Sequence, residues 1–324
     1  MSKVLITGAA GFLGARLARL MVQDGWEVIG LDLVPREYAW RLEGVPLEYR
    51  WGSCQDIHEL DAPYVIHCAS QADVPLSLSA PAYTVSNNVG GTLALLEAAK
   101  RHDGLQQFLL QSSEEVYGYC SRFPIKEKTP LNPTNVYGAS KGAQEMLAMA
   151  SYHSYRLPVT ILRSSTIIGS GMRRTQVIPI FLEQALRGES LTVHGDGGQS
   201  RDFNPVENHV DALVAALTNR KAIGQVINVG SGVERSVREV AARCLSVTAS
   251  ASKLKFSPHR PGEQDLRVVL DITRARELLN YTPKILFDEE LERMCTWLAK
   301  ELGIWRGSHK VPGHVAAATV VYLV

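Results

Sequence analysis

The β-rich run Lys3 to Thr7 breaks into Gly8-Ala9-Ala10-Gly11-Phe12-Leu13-Gly14, and from Phe12 to Gln23 apolar residues recur at helical spacing. No other feature of the chain limits its fold as strongly. Glycines between a strand and a helix let the backbone turn sharply, approach a pyrophosphate and pack helix against strand. The helix N-terminus then offers free N–H groups and partial positive charge to the phosphates. The second strand, Glu27 to Leu33, carries Asp32 near its end, placed to accept hydrogen bonds from ribose hydroxyls. A carboxylate there repels a 2′-phosphate, so the expected cofactor is NAD rather than NADP, held by Gly8, Gly11, Phe12, Leu13, Gly14 and Asp32.

The rest of the first half repeats the rhythm. Tyr64 to His67, Gln107 to Gln111 and Val159 to Leu162 read as strands; Val89 to Arg101 and Asn135 to Tyr152 read as helices. Such alternation predicts an α/β fold: a doubly wound, Rossmann-like parallel sheet built from right-handed crossovers. After Gly169 the pattern is less regular and richer in Gly, Pro and Arg. This divides the chain into a dinucleotide-binding domain over 1–168, a smaller C-terminal α/β substrate lobe over 169–302 and a tail over 303–324. A strand near Val226 to Val229 is expected to return to the main sheet. Two further cofactor contacts are expected: Asp56 with Ile57, toward the adenine, and Cys68-Ala69-Ser70, whose small side chains would let the cofactor lie against the strand end.

Net charge is +1, with no stripe of Lys or Arg, which argues against a nucleic-acid partner. The five cysteines follow no paired spacing, so neither a disulfide frame nor a metal site is expected. No signal peptide and no apolar run of about 18 residues is seen, so the expectation is a cytoplasmic protein away from membranes.

Tyr137 and Lys141 stand one helical turn apart on one face. A phenol near pKa ~10 is a poor base; a neighbouring ammonium favours phenolate, which could take a proton from a sugar hydroxyl as hydride leaves its carbon. Ser113, at a strand's carboxyl end, could bond the same oxygen. Glu114 and Glu115 beside it could divide an elimination. One, as carboxylate, would remove a C5 proton, and the other, kept protonated, would help the C6 hydroxyl leave. Cys120 is an alternative proton donor. The competing reading of the two glutamates is a solvated loop.

These residues give the chain a resemblance to the extended short-chain dehydrogenase/reductases that act on nucleotide sugars. The similarity runs through Asn88-Val89-Gly90-Gly91-Thr92, Val116-Tyr117-Gly118, Arg163, Gly195-Asp196-Gly197, Arg201-Asp202-Phe203, Asn228-Val229-Gly230-Ser231-Gly232 and Arg260-Pro261-Gly262. The resemblance implies tightly bound NAD, Arg201 and Arg260 on the diphosphate of a UDP-sugar, and Val177 to Pro179 with Leu191 to His194, including Val193, around the base. It also implies Ser77 and Thr166 at the sugar and a homodimer built on two paired helices. The glutamate pair looks most like the arrangement of 4,6-dehydratases, which carry Asp-Glu there. 4-Epimerases have small residues at those positions, and UDP-glucuronate decarboxylases have Ser-Glu. Thr166 replaces a usual Asn, and Asn208 a usual Asp.

Overall fold

The computed structural model of the chain describes residues 2–258 and 266–304. The elements in the first half are β1 (Lys3–Thr7), α1 (Phe12–Gln23), β2 (Glu27–Asp32), β3 (Glu48–Trp51), β4 (Tyr64–His67), α2 (Val74–Ser79), α3 (Pro81–Val85), α4 (Gly91–Lys100), β5 (Gln107–Ser113), α5 (Val136–Tyr155) and β6 (Val159–Ser164). There follow β7 (Thr166–Ile168), α6 (Val177–Arg187), β8 (Leu191–His194), β9 (Ser200–Pro205), α7 (Val206–Leu217), β10 (Val226–Val229), β11 (Glu234–Ser236), α8 (Val237–Val247), β12 (Leu254–Ser257), α9 (Thr273–Leu279) and α10 (Phe287–Glu301).

Seven strands form one parallel sheet in the order β10-β6-β5-β4-β1-β2-β3. The order reverses at β1, whose neighbours are β2 and β4, and ligands of such sheets lie outside the carboxyl ends at that reversal. Val226–Val229 pairs with Ile161–Ser164, so a strand from the second half of the chain completes the edge. Both faces of the sheet are covered. Val4, Ile6, Ile66 and Leu109 pack against α1 and α7 on one side, and Leu5, Val65, Phe108 and Leu110 face the α4 and α5 layer on the other. Burial on both faces explains why β5 is enclosed along all seven residues.

A three-stranded sheet, β11-β9-β7, and a two-stranded one, β12-β8, form the smaller part with α6, α8 and α10 around Phe181, Val193, Val240, Leu291 and Met294. Helix starts carry local signals: Asn135 caps α5 by accepting the Gly138 N–H at 2.8 Å, and Ser236 with Glu239 closes a capping box on α8. Among the described residues no helix is long and apolar enough to cross a membrane, and no cluster of His, Cys, Asp and Glu could hold a metal ion. All five cysteines are free thiols.

Candidate active site

The turn after β1 is shaped for close approach. Gly8 has φ +70°, and a Cβ there would lie 2.8 Å from the Ala69 nitrogen; a Cβ on Gly14 would lie 2.1 Å from the Gly8 oxygen. Only hydrogen fits at either place. Asp32 closes the opposite side: its carboxylate accepts the Ala10 N–H at 2.9 Å and the Val34 N–H at 3.0 Å. Burial raises its pKa against those two bonds. The glycine cradle, the start of α1 and Asp32 therefore fit a dinucleotide, with oxygen lone pairs left on Asp32 for ribose hydroxyls. Phe12 and Leu13 open α1 at the rim.

The residues expected at the adenine lie in a surface turn. Asp56 is exposed at the end of a 3₁₀ turn spanning Cys54–Asp56, and Ile57 packs against the core beneath α4. Cys54, two positions earlier, is turned inward against the core. Its thiol is pushed up to about 12 by burial, it bonds Thr7 at the end of β1, and it feels the charge of Asp32. The tight turn, capped by Ser53, directs Asp56 outward.

Cys68, Ala69 and Ser70 line the end of β4 as expected. The Cys68 N–H donates to the Thr7 carbonyl at 3.2 Å and the Ala69 N–H to the Thr7 hydroxyl at 3.2 Å. Beneath them His67 is locked between the hydroxyls of Thr7 and Thr92 at 2.7 and 2.8 Å, and burial pushes it down to about 3, so it is neutral. Asn88 accepts the Gln71 N–H at 2.6 Å and donates to the Ser140 hydroxyl at 2.9 Å, tying the strand end to α5.

On α5, Tyr137 and Lys141 share a face. Lys141 donates from Nζ to the Gln111 carbonyl at 2.6 Å and is pushed down to about 8 by burial. Burial raises Tyr137 to about 12; its hydrogen bond with Ser113 and the charge of Arg173 oppose the rise, and Glu115 and Glu114 add to it. Among the charges acting on the phenol is that of Arg173, a residue the sequence reading did not single out. Arg173 donates to Asp73 Oδ2 at 3.0 Å and to the Ala72 carbonyl at 2.7 Å.

Ser113, Glu114 and Glu115 follow β5 in a single turn of 3₁₀ helix. The two carboxyls differ sharply. Glu115 is half-buried and accepts a hydrogen bond from Asn135 Nδ2 at 2.9 Å, so the cap of α5 also holds a site carboxylate. Glu114 is only 6% exposed. Its Oε1 accepts from the Thr166 hydroxyl at 2.7 Å, and Oε2 is buried with no partner. Burial raises it to about 8, against the opposing charge of Arg201 and the Thr166 bond, so it carries a proton at neutral pH. Thr166, predicted at the sugar, is thus the partner of the acid. Cys120 sits apart, its thiol directed to the Tyr117 carbonyl at 3.9 Å.

The remaining predicted substrate residues divide. Arg201 is half-buried on β9, donates to the Ser200 carbonyl at 3.3 Å and faces Glu114 electrostatically. Val177 is the first residue of α6 and half-buried. His194 is half-exposed and within 2.8 Å of the Ser257 hydroxyl. Two of the predicted residues are enclosed. Val193 is fully enclosed in the core, because the pleat of β8 turns Leu191 and Val193 inward and Thr192 and His194 outward. Ser77 is also fully buried, its hydroxyl donating to the Val74 carbonyl within α2. Arg260 lies outside the described residues. Asn208 has its own use: it accepts the N–H groups of Lys284 and Ile285 at 2.9 and 3.0 Å and donates to the Ile285 carbonyl at 2.9 Å.

Comparison with known proteins agrees with this geometry. The model of the NAD dependent epimerase/dehydratase family matches residues 4–230. The chain belongs to that family. It is therefore related to NAD-dependent enzymes that modify nucleotide sugars, and NAD is its cofactor. It is 32% identical over 301 residues to the low-salt glycan biosynthesis protein Agl12 of Haloferax volcanii, covering 89% of this chain and 96% of that protein. It is 31% identical over 320 residues to a dTDP-glucose 4,6-dehydratase of Streptomyces griseus, covering 93% and 95%. The UDP-glucose 4-epimerase of Thermotoga maritima, solved with UDP-glucose, superposes with a TM-score of 0.87 at 28% identity, covering 93% of this chain and 99% of that one.

Proposed function

We propose that this family member is a nucleotide-sugar dehydratase that removes water across C5 and C6 of a UDP-hexose or UDP-N-acetylhexosamine. The observation that carries the reading is the unequal pair at the end of β5. Glu114 is buried and neutral, with one oxygen unpartnered, and Glu115 is held by Asn135 beside it. An epimerase has no use for a neutral acid next to a second carboxylate, whereas an elimination needs a proton donor and a proton acceptor together.

The glycine turn and Asp32 would hold NAD, which would supply the hydride acceptor for sugar C4 and, after elimination, return the hydride to C4 for a 5,6-ene or to C6 for a 4,6-product, so that the net change is the loss of water. Tyr137, hydrogen-bonded to Ser113, would take the O4 proton as phenolate, and Ser113 would orient that oxygen. The ammonium of Lys141 and the positive charge of bound NAD would favour that form against the burial that raises the phenol. The C5 hydrogen is acidified once C4 is a ketone, and Glu115 removes it. Glu114 delivers its proton to the departing O6, and its bond from Thr166 fixes the direction of delivery. Arg201 faces the same acid and is available to the diphosphate, for which a guanidinium's forked donors are suited. Among such enzymes the sequence resembles the UDP-N-acetylglucosamine 5,6-dehydratase of tunicamycin biosynthesis, and Glu114 in place of the usual Asp supports an altered outcome. A homodimer through α4 and α5 is supported by the exposed side chains of Leu93 and Met146 on those helices.

The test is mass spectrometry and NMR of purified protein with UDP-N-acetylglucosamine and, separately, UDP-glucose in deuterated water. Loss of one water is expected, with vinyl signals for 5,6-elimination or a methyl signal for 4,6-elimination. An unchanged mass with inverted C4 would make the enzyme an epimerase and overturn the reading.

A further inference from the structure

After β7 the chain runs through a short strap, Gly169 to Arg173, on its way to α6. A Cβ on Gly169 would lie 3.2 Å from the Phe12 ring, where α1 leaves the glycine turn after β1. Arg16, farther along α1, donates to the Ser170 carbonyl at 2.9 Å. Arg41, in the connection after β2, donates from Nε and Nη2 to the Gly171 carbonyl at 3.2 and 2.7 Å. A Cβ on Gly171, whose φ is +86°, would meet the Trp40 ring at 3.6 Å. Arg173 then reaches the connection after β4, donating from Nη1 to Asp73 Oδ2 at 3.0 Å and from Nη2 to the Ala72 carbonyl at 2.7 Å.

These contacts fall on the segments that leave the carboxyl ends of β2, β1 and β4, which are neighbours in the sheet. A dinucleotide lies along that row of strand ends, so the strap spans the groove that fits the cofactor. Its two ends are held differently. At the start, Glu290 on α10 accepts the Ser170 N–H at 3.2 Å, and Met172 is buried in the core of the smaller part, so the strap belongs to that part. At the far end the Arg173 guanidinium, part-exposed like its partner Asp73, crosses to the main sheet with its two bonds. Asp73 is itself fixed, because its Oδ1 caps α2 by accepting the Leu76 N–H at 2.9 Å.

We propose that the strap is a gate on the dinucleotide groove and that the bridge from Arg173 to Asp73 and Ala72 is its latch, so that NAD enters and leaves when the bridge opens. Two hydrogen bonds from a part-exposed guanidinium are strong enough to keep such a gate mostly shut and weak enough to break on the timescale of loop motion. The latch joins protein to protein. It closes the groove alike over a filled and an empty site, so loosening it speeds entry and exit by the same factor and leaves the affinity unchanged. The inference rests on NAD as the cofactor and not on which sugar is the substrate.

The experiment is stopped-flow binding of NADH to the full chain freed of nucleotide, followed by nicotinamide fluorescence, with dissociation read by displacement with excess NAD. Arg173→Met should raise the association and dissociation rates together by about tenfold, the scale of one charge-assisted hydrogen bond with a part-exposed ion pair. The Kd should stay within about twofold of the wild type, as a gate requires. Asp73→Asn keeps an oxygen to cap α2 and loses the charge, so both rates should rise by about threefold, the share of the ion pair. Unchanged rates would overturn the proposal. So would a faster dissociation with no change in association, because the Kd would then weaken in step and Arg173 would be a support of the bound state rather than a latch. If Arg173→Met does not fold, the same comparison on Asp73→Asn decides.

Discussion

Replacing Glu114 by Gln keeps the shape of the side chain and removes the proton it can deliver. With a pKa of about 8, Glu114 is about nine-tenths protonated at pH 7, whereas an ordinary glutamate would be about 0.3% protonated. Burial therefore raises the population of the acid roughly 300-fold, equivalent to about 5 kcal/mol in the balance between its two forms. That shift has a second consequence, in stability. The folded-state pKa lies above the unfolded one, so the folded chain holds a proton that the unfolded chain has lost at any pH between about 4.5 and 8. Stability falls as pH rises through that window. Glutamine does not titrate, so at pH 7 Glu114→Gln should be more stable than wild type by up to about 3 kcal/mol. Loss of water from UDP-N-acetylglucosamine or UDP-glucose, read by mass spectrometry, should fall by about 10²- to 10⁴-fold, the usual worth of a positioned acid. Formation of reduced cofactor, read by its near-ultraviolet absorbance, should survive. In the wild type, water loss should decline as pH rises through about 8. A variant that eliminates water at the wild-type rate, or unfolds more easily at pH 7, would refute this account of Glu114.

Three other perturbations test separate parts of the structure. Gly14→Ala sets a methyl group 2.1 Å from the Gly8 oxygen and should abolish NAD binding in calorimetry, with loss of thermal stability. Glu290, raised to about 7 by burial with Glu207 adding to the effect, should make wild-type stability fall between about pH 4.5 and 7; urea melts of Glu290→Gln should lack that slope. Asn208→Asp keeps both backbone N–H partners but sets an oxygen against the Ile285 carbonyl, so it should cost about 1–3 kcal/mol in denaturant unfolding.

What the sequence reveals here is governed by how local the determining physics is. The glycine turn and Asp32 are legible because backbone sterics and strand-turn-helix order act within a few residues. The β/α alternation is legible because burial on both faces leaves continuous apolar runs. Glu114 and Glu115 stand out as neighbours, but their division of labour depends on Thr166 and Asn135, brought in from other elements. Arg173 carries no signal at all, since its partners Asp73 and Ala72 lie about 100 residues earlier in the chain. The spacing of Lys141 from Tyr137 is legible in the sequence, whereas its hydrogen bond to the Gln111 carbonyl is set by the packing of α5 on β5. The burial of Val193 follows from the pleat of β8, which alternates faces along the strand and cannot be assigned a side from four residues alone.

Below the turn that carries Glu114 and Glu115 lies a knot of buried polar groups. Arg163 grips Glu145 through Nε at 2.9 Å and through Nη2 at 2.6 Å, and donates to the Tyr117 hydroxyl at 2.8 Å; that hydroxyl donates to Asn228 at 2.7 Å. Tyr117 directly follows the Glu114–Val116 turn, so the backbone that presents the two glutamates is anchored from beneath by groups that never meet the substrate. Such a mount separates where side chains are held from which side chains they are. The occupants of positions 114 and 115 can be exchanged without rebuilding their support, and one scaffold can pass between reaction outcomes in few mutational steps. In evolutionary terms the anchored turn is the scaffold's point of divergence, and in protein engineering it is the place to begin.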